Sequence, residues 1–149
     1  MINALIDTDV LIDSCFNRQP FAVDSIKILE LCEVGDIRGF TTPLLISNFY
    51  YLIRKANTHQ QTMAIVKKMN QLLTIIPVTG DAVTQAIGSS FKDFEDAIQY
   101  HTCLAHGNIH FIITRNKKDY QNSAIAVMSP TEFLAHVMHN PSNYPVAST

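Results

Sequence analysis

The chain has 149 residues, 47% hydrophobic and 16% charged, with a formal net charge of −2. These values describe one globular domain that can bury a core without staples, and they exclude a disordered chain or a strongly basic nucleic-acid coat while leaving room for a local basic patch. Three cysteines without a CxxC pair, no basic leader and no long apolar run argue against a zinc knuckle, a signal peptide and a membrane span, and lead us to expect a reducing, cytoplasmic setting.

Residues 2–6 read as a short strand that ends at Asp7, and residues 10–14 as one helical turn. Pro20 opens a helical pattern with Phe21, Ile26, Ile28, Leu29 and Cys32 broadly on one side, closed by Gly35-Asp36. Residues 37–41 form a second strand. Pro43 starts a helix with Leu44, Leu45, Phe49, Leu52 and Ile53 as its apolar face. Thr58 caps a long amphipathic helix running to about Leu73. Residues 75–78 form a third strand, Gly80-Asp81 starts a helix, and 94–105 is helical, ending near Gly107. Residues 111–114 and 125–128 are the fourth and fifth strands, and Ser129-Pro130 opens a last helix to about His139. Short apolar strands alternating with helices predict an α/β domain: three layers, α/β/α, around a central, mostly parallel five-stranded sheet. The domain spans 1–139, and 140–149 form a polar, proline-containing tail expected to fray.

In an open parallel sheet, ligands bind beyond the carboxyl ends of the strands. Acids fall there. Asp7 follows the first strand, Asp119 lies in the loop after the fourth, and Asp93 and Asp96 open the helix that feeds the fourth. Carboxylates from remote segments repel one another unless a cation compensates them, and oxygen-only ligation favours Mg²⁺ or Mn²⁺ over zinc. Each acid also has an ordinary explanation. Asp93 suits a helix N-cap better than a ligand, Asp96 would then sit at N3, and Asp119 suits an Asx turn. Asp9 is expected to cap the first helical turn. Asp13, Asp24, Asp36 and Asp81 are expected to cap helices or face solvent. Arg115, Lys117 and Lys118 lie beside the acids as a local basic patch suited to phosphate contacts; Tyr50, Tyr51 and Phe94 offer stacking surfaces, with core packing favoured for Phe94. His59, His101, His106, His110, His136 and His139 lack a companion ligand set and read as surface or packing residues.

The segments Leu5-Ile6-Asp7-Thr8-Asp9-Val10-Leu11, Lys92-Asp93-Phe94-Glu95-Asp96-Ala97 and Ile112-Ile113-Thr114-Arg115-Asn116-Lys117-Lys118-Asp119-Tyr120 resemble the PIN-domain ribonucleases, especially the toxins of type II toxin–antitoxin pairs. The resemblance covers the chain to about His136. It implies a Mg²⁺- or Mn²⁺-dependent endoribonuclease whose acids are Asp7, Asp96 and Asp119, with Asp93 as an additional metal residue. Thr114 would position the attacking water, and Asn116 would hold Asp119 or a phosphate, or simply serve the turn. The products would carry 5′-phosphate and 3′-hydroxyl ends. The family's second acid falls at Asn48, which can ligate or orient water but brings no charge. The resemblance also implies a small antitoxin partner and a homodimer, with Phe49, Tyr50 and Leu52, or the helix over 63–73, as candidate contact surface. Two alternatives stand beside it: a PIN-like binding module silenced by Asn48, and a haloacid-dehalogenase-like phosphatase suggested by Asp7-Thr8-Asp9-Val10, which lacks that family's late acidic pair.

Overall fold

The computed structural model describes residues Met1–His139; the expected frayed tail over 140–149 lies outside them. Five parallel strands form the sheet, in the order β3-β2-β1-β4-β5: β1 (Ile2–Ile6), β2 (Ile37–Thr41), β3 (Thr74–Ile75), β4 (Phe111–Ile113) and β5 (Ala126–Met128). The described helices are α1 (Thr8–Cys15), α2 (Ala22–Glu33), α3 (Pro43–Arg54), α4 (His59–Leu72), α5 (Gly80–Ile87), α6 (Phe94–His106) and α7 (Pro130–His139), with a short 3-10 turn at Lys117–Tyr120. Among the described residues no helix is long and apolar enough to cross a membrane.

The two-residue alternation of the strands divides the core. Ile2, Ala4 and Ile6 of β1 point to one face, where they meet Leu11 of α1, Ile28 of α2, Met69 of α4 and Phe133 of α7. Leu5 points to the other, against Tyr100 and Cys103 of α6. Both faces of β1 are thus covered, which explains why all five of its residues are apolar or fully packed. Helix α3 serves both sides, with Leu45 in one cluster and Phe49 and Ile53 in the other. This three-layer arrangement is the expected fold, and its sheet is wholly rather than mostly parallel.

Local differences have local causes. α1 is a full eight-residue helix, capped by Asp7 rather than Asp9. The chain between Pro20 and Phe21 is not yet helical, and α2 begins at Ala22. β3 starts one residue earlier than expected and ends at Ile75: the Ile76 N–H still reaches the Thr41 carbonyl at 2.9 Å, but Pro77 has no N–H to continue the ladder. Gly39 in β2 is closely packed: a Cβ there would sit 2.5 Å from Leu73 Cδ2 and 2.8 Å from Cys32 Sγ, so both side chains would have to shift.

The strand order fixes where a ligand can bind. The chain steps outward from β1 to β3, then returns through α5 and α6 to place β4 on the other side of β1. The switch point therefore lies between the carboxyl ends of β1 and β4. The pairing of Ile6 with Ile113 sets Asp7 and Thr114 side by side there.

A candidate active site at the carboxyl edge of the sheet

Asp7 is the first residue past β1. Its backbone N–H bonds to the Ile113 carbonyl at 3.0 Å, completing the ladder, and its carboxylate caps α1 by accepting the Thr8 N–H at 2.7 Å. The other carboxylate oxygen accepts the Thr114 hydroxyl at 2.8 Å. That hydroxyl also lies 3.2 Å from Asp9 and accepts the Asn116 N–H at 3.0 Å. A threonine has one proton to give, so two carboxylates compete for it. Asp9 takes the Arg115 N–H at 2.9 Å, and its second oxygen is buried without a partner.

The third strand of acid comes from α6. Asp93 is its N-cap and accepts the Asp96 N–H at 3.0 Å, which leaves the Asp96 side chain free to point inward. Asp96 is 9% exposed and accepts the Tyr120 hydroxyl at 3.0 Å. Burial, together with the charges of Asp7 and Asp96, pushes the Tyr120 phenol upward, so it remains a donor. Asp7, Asp9, Asp93, Glu95 and Asp96 line one open cleft of about 330 Å³, with Arg18 as its cation and Asn116 on its rim.

Five acids against one cation leave negative charge uncompensated, and the carboxyl groups respond. Desolvation by burial, then the charges of Asp9 and Asp96, push Asp7 up to about 7 against the Thr114 and Thr8 hydrogen bonds. Asp96 is likewise pushed up to about 7, first by burial and then, with Tyr120 opposing, by Asp93, Asp119 and Glu95. Burial also raises Asp9, against the hydrogen bond and charge of Arg115. An all-oxygen donor set with surplus charge and an orphaned buried carboxylate oxygen fits a hard divalent cation. Among the described residues no three His, Cys, Asp or Glu side chains already stand in ligating positions. Each carboxylate is turned to its own donor instead: Asp7 to Thr114, Asp9 to Arg115, Asp96 to Tyr120 and Asp119 to the Asn116 amide.

A family model described as PIN domain matches residues 3–118. The chain belongs to the PIN domain family. No curated protein sequence matches it. Among solved structures, this PIN domain is similar to a toxin–antitoxin complex from Klebsiella pneumoniae, with 23% identity and a TM-score of 0.63 over 85% of this chain and 97% of that one. It is similar to VapBC-1 from nontypeable Haemophilus influenzae, with 12% identity and a TM-score of 0.63 over 87% and 99%. It is also similar to the sarcin–ricin loop cleaving toxin VapC20 of Mycobacterium tuberculosis, with 14% identity and a TM-score of 0.57 over 73% and 86%. With the family shown, the phosphatase alternative falls.

The PIN domain gathers Asp7, Asp93, Asp96, Thr114 and Asn116 at one cleft. Asp119 stands to the side: it acts on Asp96 through its charge but lines a neighbouring cleft of about 310 Å³ with Lys92 and Lys118. Among the described residues Asn48 reaches the acids through Glu95, whose carboxylate accepts its amide at 2.5 Å. Arg115 is not a free phosphate ligand. Its guanidinium bonds Asp13 at 2.5 and 3.1 Å and stacks 4.1 Å from the Phe21 ring. Asp13 neither caps a helix nor faces solvent; it is wholly buried by this pairing. Lys117 forms an exposed ion pair with Glu132 at 2.7 Å, and such a pair yields readily. Phe94 is 53% exposed rather than packed, because it occupies the first turn of α6 beside the cleft's rim. Phe49 is wholly buried and cannot contribute a contact surface, whereas Tyr51, Leu52 and Met63 are exposed. The histidines pack or bond locally: His106 lies 5.2 Å from Phe40, His136 5.4 Å from Phe111, and the His110 ring accepts the Asn3 N–H. Asp9, Asp13 and Glu95 escape sequence reasoning. The pattern Asp-x-Asp at a strand end is the visible signal for Asp9, and a two-residue error in the helix start turns it into a cap.

Proposed function

We propose that this PIN domain is a Mg²⁺- or Mn²⁺-dependent endoribonuclease, the toxin half of a toxin–antitoxin pair. The observation that carries the reading is the meeting of Asp7 and Asp96, remote in sequence, in one cleft at the switch point of the sheet, where burial and neighbouring acids push both carboxyls upward against their hydrogen bonds. Asp7, Asp96 and Asp119, with Asp93 beside them, would hold the ion, which when bound supplies Lewis-acid stabilisation of the scissile phosphate and a water acidified toward neutral pH. Thr114 fixes the Asp7 carboxylate and, by family resemblance, orients the attacking water. The Asn116 amide holds Asp119. Lys118 and Lys92, in the cleft beside Asp119, meet RNA phosphates, with Lys117 available once it leaves Glu132. Exposed Tyr51 and Phe94 present faces on which bases of a single strand stack. The toxin–antitoxin complex from Klebsiella pneumoniae among the similar folds supports a small antitoxin as partner, and a second copy of the chain is a further partner to be tested by sedimentation of the purified protein.

Replacing Asp7 by Asn keeps the α1 cap, because an amide oxygen accepts the Thr8 N–H, and removes a charge from the cleft. Cleavage of a structured RNA in Mg²⁺ is expected to fall by more than the roughly 10–100-fold typical of losing an outer partner of a metal ligand. Wild-type rates from correctly folded Asp7→Asn protein contradict the proposal.

A further inference from the structure

We propose that Glu95 is a further carboxylate ligand of the acidic cleft and that Asn48 is the positioning residue that holds it there. The proposal rests on the metal-dependent reading above and names a residue that reading does not contain.

Glu95 is the second residue of α6, where an acid ordinarily faces solvent and complements the helix dipole. This one is half-buried and bonds across 47 positions in sequence to the Asn48 amide on α3, at 2.5 Å. A neutral amide fixes a carboxylate without cancelling its charge. No ion pair to Glu95 forms among the described residues, although Lys55 lines the same adjoining cleft. The carboxylate instead stands where two clefts meet, lining the acidic one with Asp7 and Asp96 and the adjoining one with Thr8 and Tyr51. Its charge acts on Asp96. The identity of residue 48 follows from the contact: a glutamate there would set two carboxylates against each other, whereas an amide gives Glu95 a donor.

The test measures Mn²⁺ affinity of the full chain by electron paramagnetic resonance, alongside thermal unfolding in EDTA and in Mn²⁺. Glu95→Gln is expected to weaken Mn²⁺ binding at least about 10-fold, and Asn48→Ala by about 10-fold, as loss of a partner that orients a ligand does. Unfolding of Glu95→Gln in EDTA is expected at or above the wild-type temperature, since a desolvated charge is removed, while its Mn²⁺-induced rise shrinks. The double variant Asn48→Ala/Glu95→Gln is expected to bind Mn²⁺ no more than about twofold worse than Glu95→Gln alone, because Asn48 acts through Glu95 and the two losses do not add. Wild-type affinity in Glu95→Gln overturns the proposal, as does an Asn48→Ala loss that adds in full to that of Glu95→Gln. A wild-type chain that binds no Mn²⁺ at all overturns the nuclease reading itself, and the ligand role of Glu95 with it.

Discussion

Asp7 sits at the end of a fully buried strand and keeps a carboxylate there only because Thr8 and Thr114 donate to it. Those donors do not offset its burial and its neighbours, so its carboxyl, like that of Asp96, is pushed up to about 7. The consequence for stability has a definite sign. A folded-state pKa above the ordinary value of 3.8 means that the native form holds protons the unfolded form has released. The stability these two groups contribute is present in full below about pH 4 and is lost as pH rises through about 7. In EDTA, the unfolding temperature is therefore expected to drop between pH 5 and pH 8. Asp7→Asn should flatten that drop, and Mn²⁺ should restore stability most at the high-pH end; a metal-free protein whose unfolding temperature rises over the interval contradicts the assignment. Asp7, Asp96 and the Asp93 cap were legible in the sequence because strand ends and helix starts are local signals. Asp9, Asp13 and Glu95 were not, because their roles depend on Arg115, Thr114 and Asn48, which come from 47 or more positions away and meet them only in the folded chain.

Helix α1 and the start of the β4–β5 connection are tied by the Asp13–Arg115 pair, with Phe21 closing over the guanidinium. This pair lies directly behind Thr114 and Asp9, so it backs the acidic cleft as well as joining two elements. Asp13→Ala strands the arginine charge against a buried site; a loss of about 3 kcal/mol, the low end for breaking a buried pair, is expected in urea unfolding because Arg115 retains some exposure. A change under about 0.5 kcal/mol, the range of ordinary surface substitutions, would show that the pair is not buried in solution. β2 offers a second measure. Gly39→Ala forces a methyl against Leu73 and Cys32, and overpacking of this kind costs about 1–3 kcal/mol. The element boundaries themselves were read closely where caps are chemical: Thr58 with Gln61 forms a complete capping box, Pro43 stands at the start of α3, and Gly107 ends α6 at a φ of +75°. They slipped where no cap marks them, as at Pro20 to Ala22 and around Pro77, and at α1, where Asp7 and Asp9 both offer a capping carboxylate and Asp7 is the one that caps.

The fold as a whole places chemistry by topology. Alternating strands and helices announce a parallel sheet, but strand order has no local signature, and only the order β3-β2-β1-β4-β5 makes the gap between β1 and β4 the ligand crevice. That order brings the first acid, the α6 acids and the Thr114 hydroxyl to one edge of a molecule whose net charge is only −2. The surrounding lysines are correspondingly few, which predicts RNA binding that involves few phosphates and weakens only shallowly as salt rises. End chemistry tests the account most directly. Purified chain incubated with a structured RNA in Mg²⁺ is predicted to release fragments with 5′-phosphate and 3′-hydroxyl ends, and to release none in EDTA or with Asp96→Asn. Fragments that appear in EDTA, or that carry 2′,3′-cyclic phosphates, would contradict it.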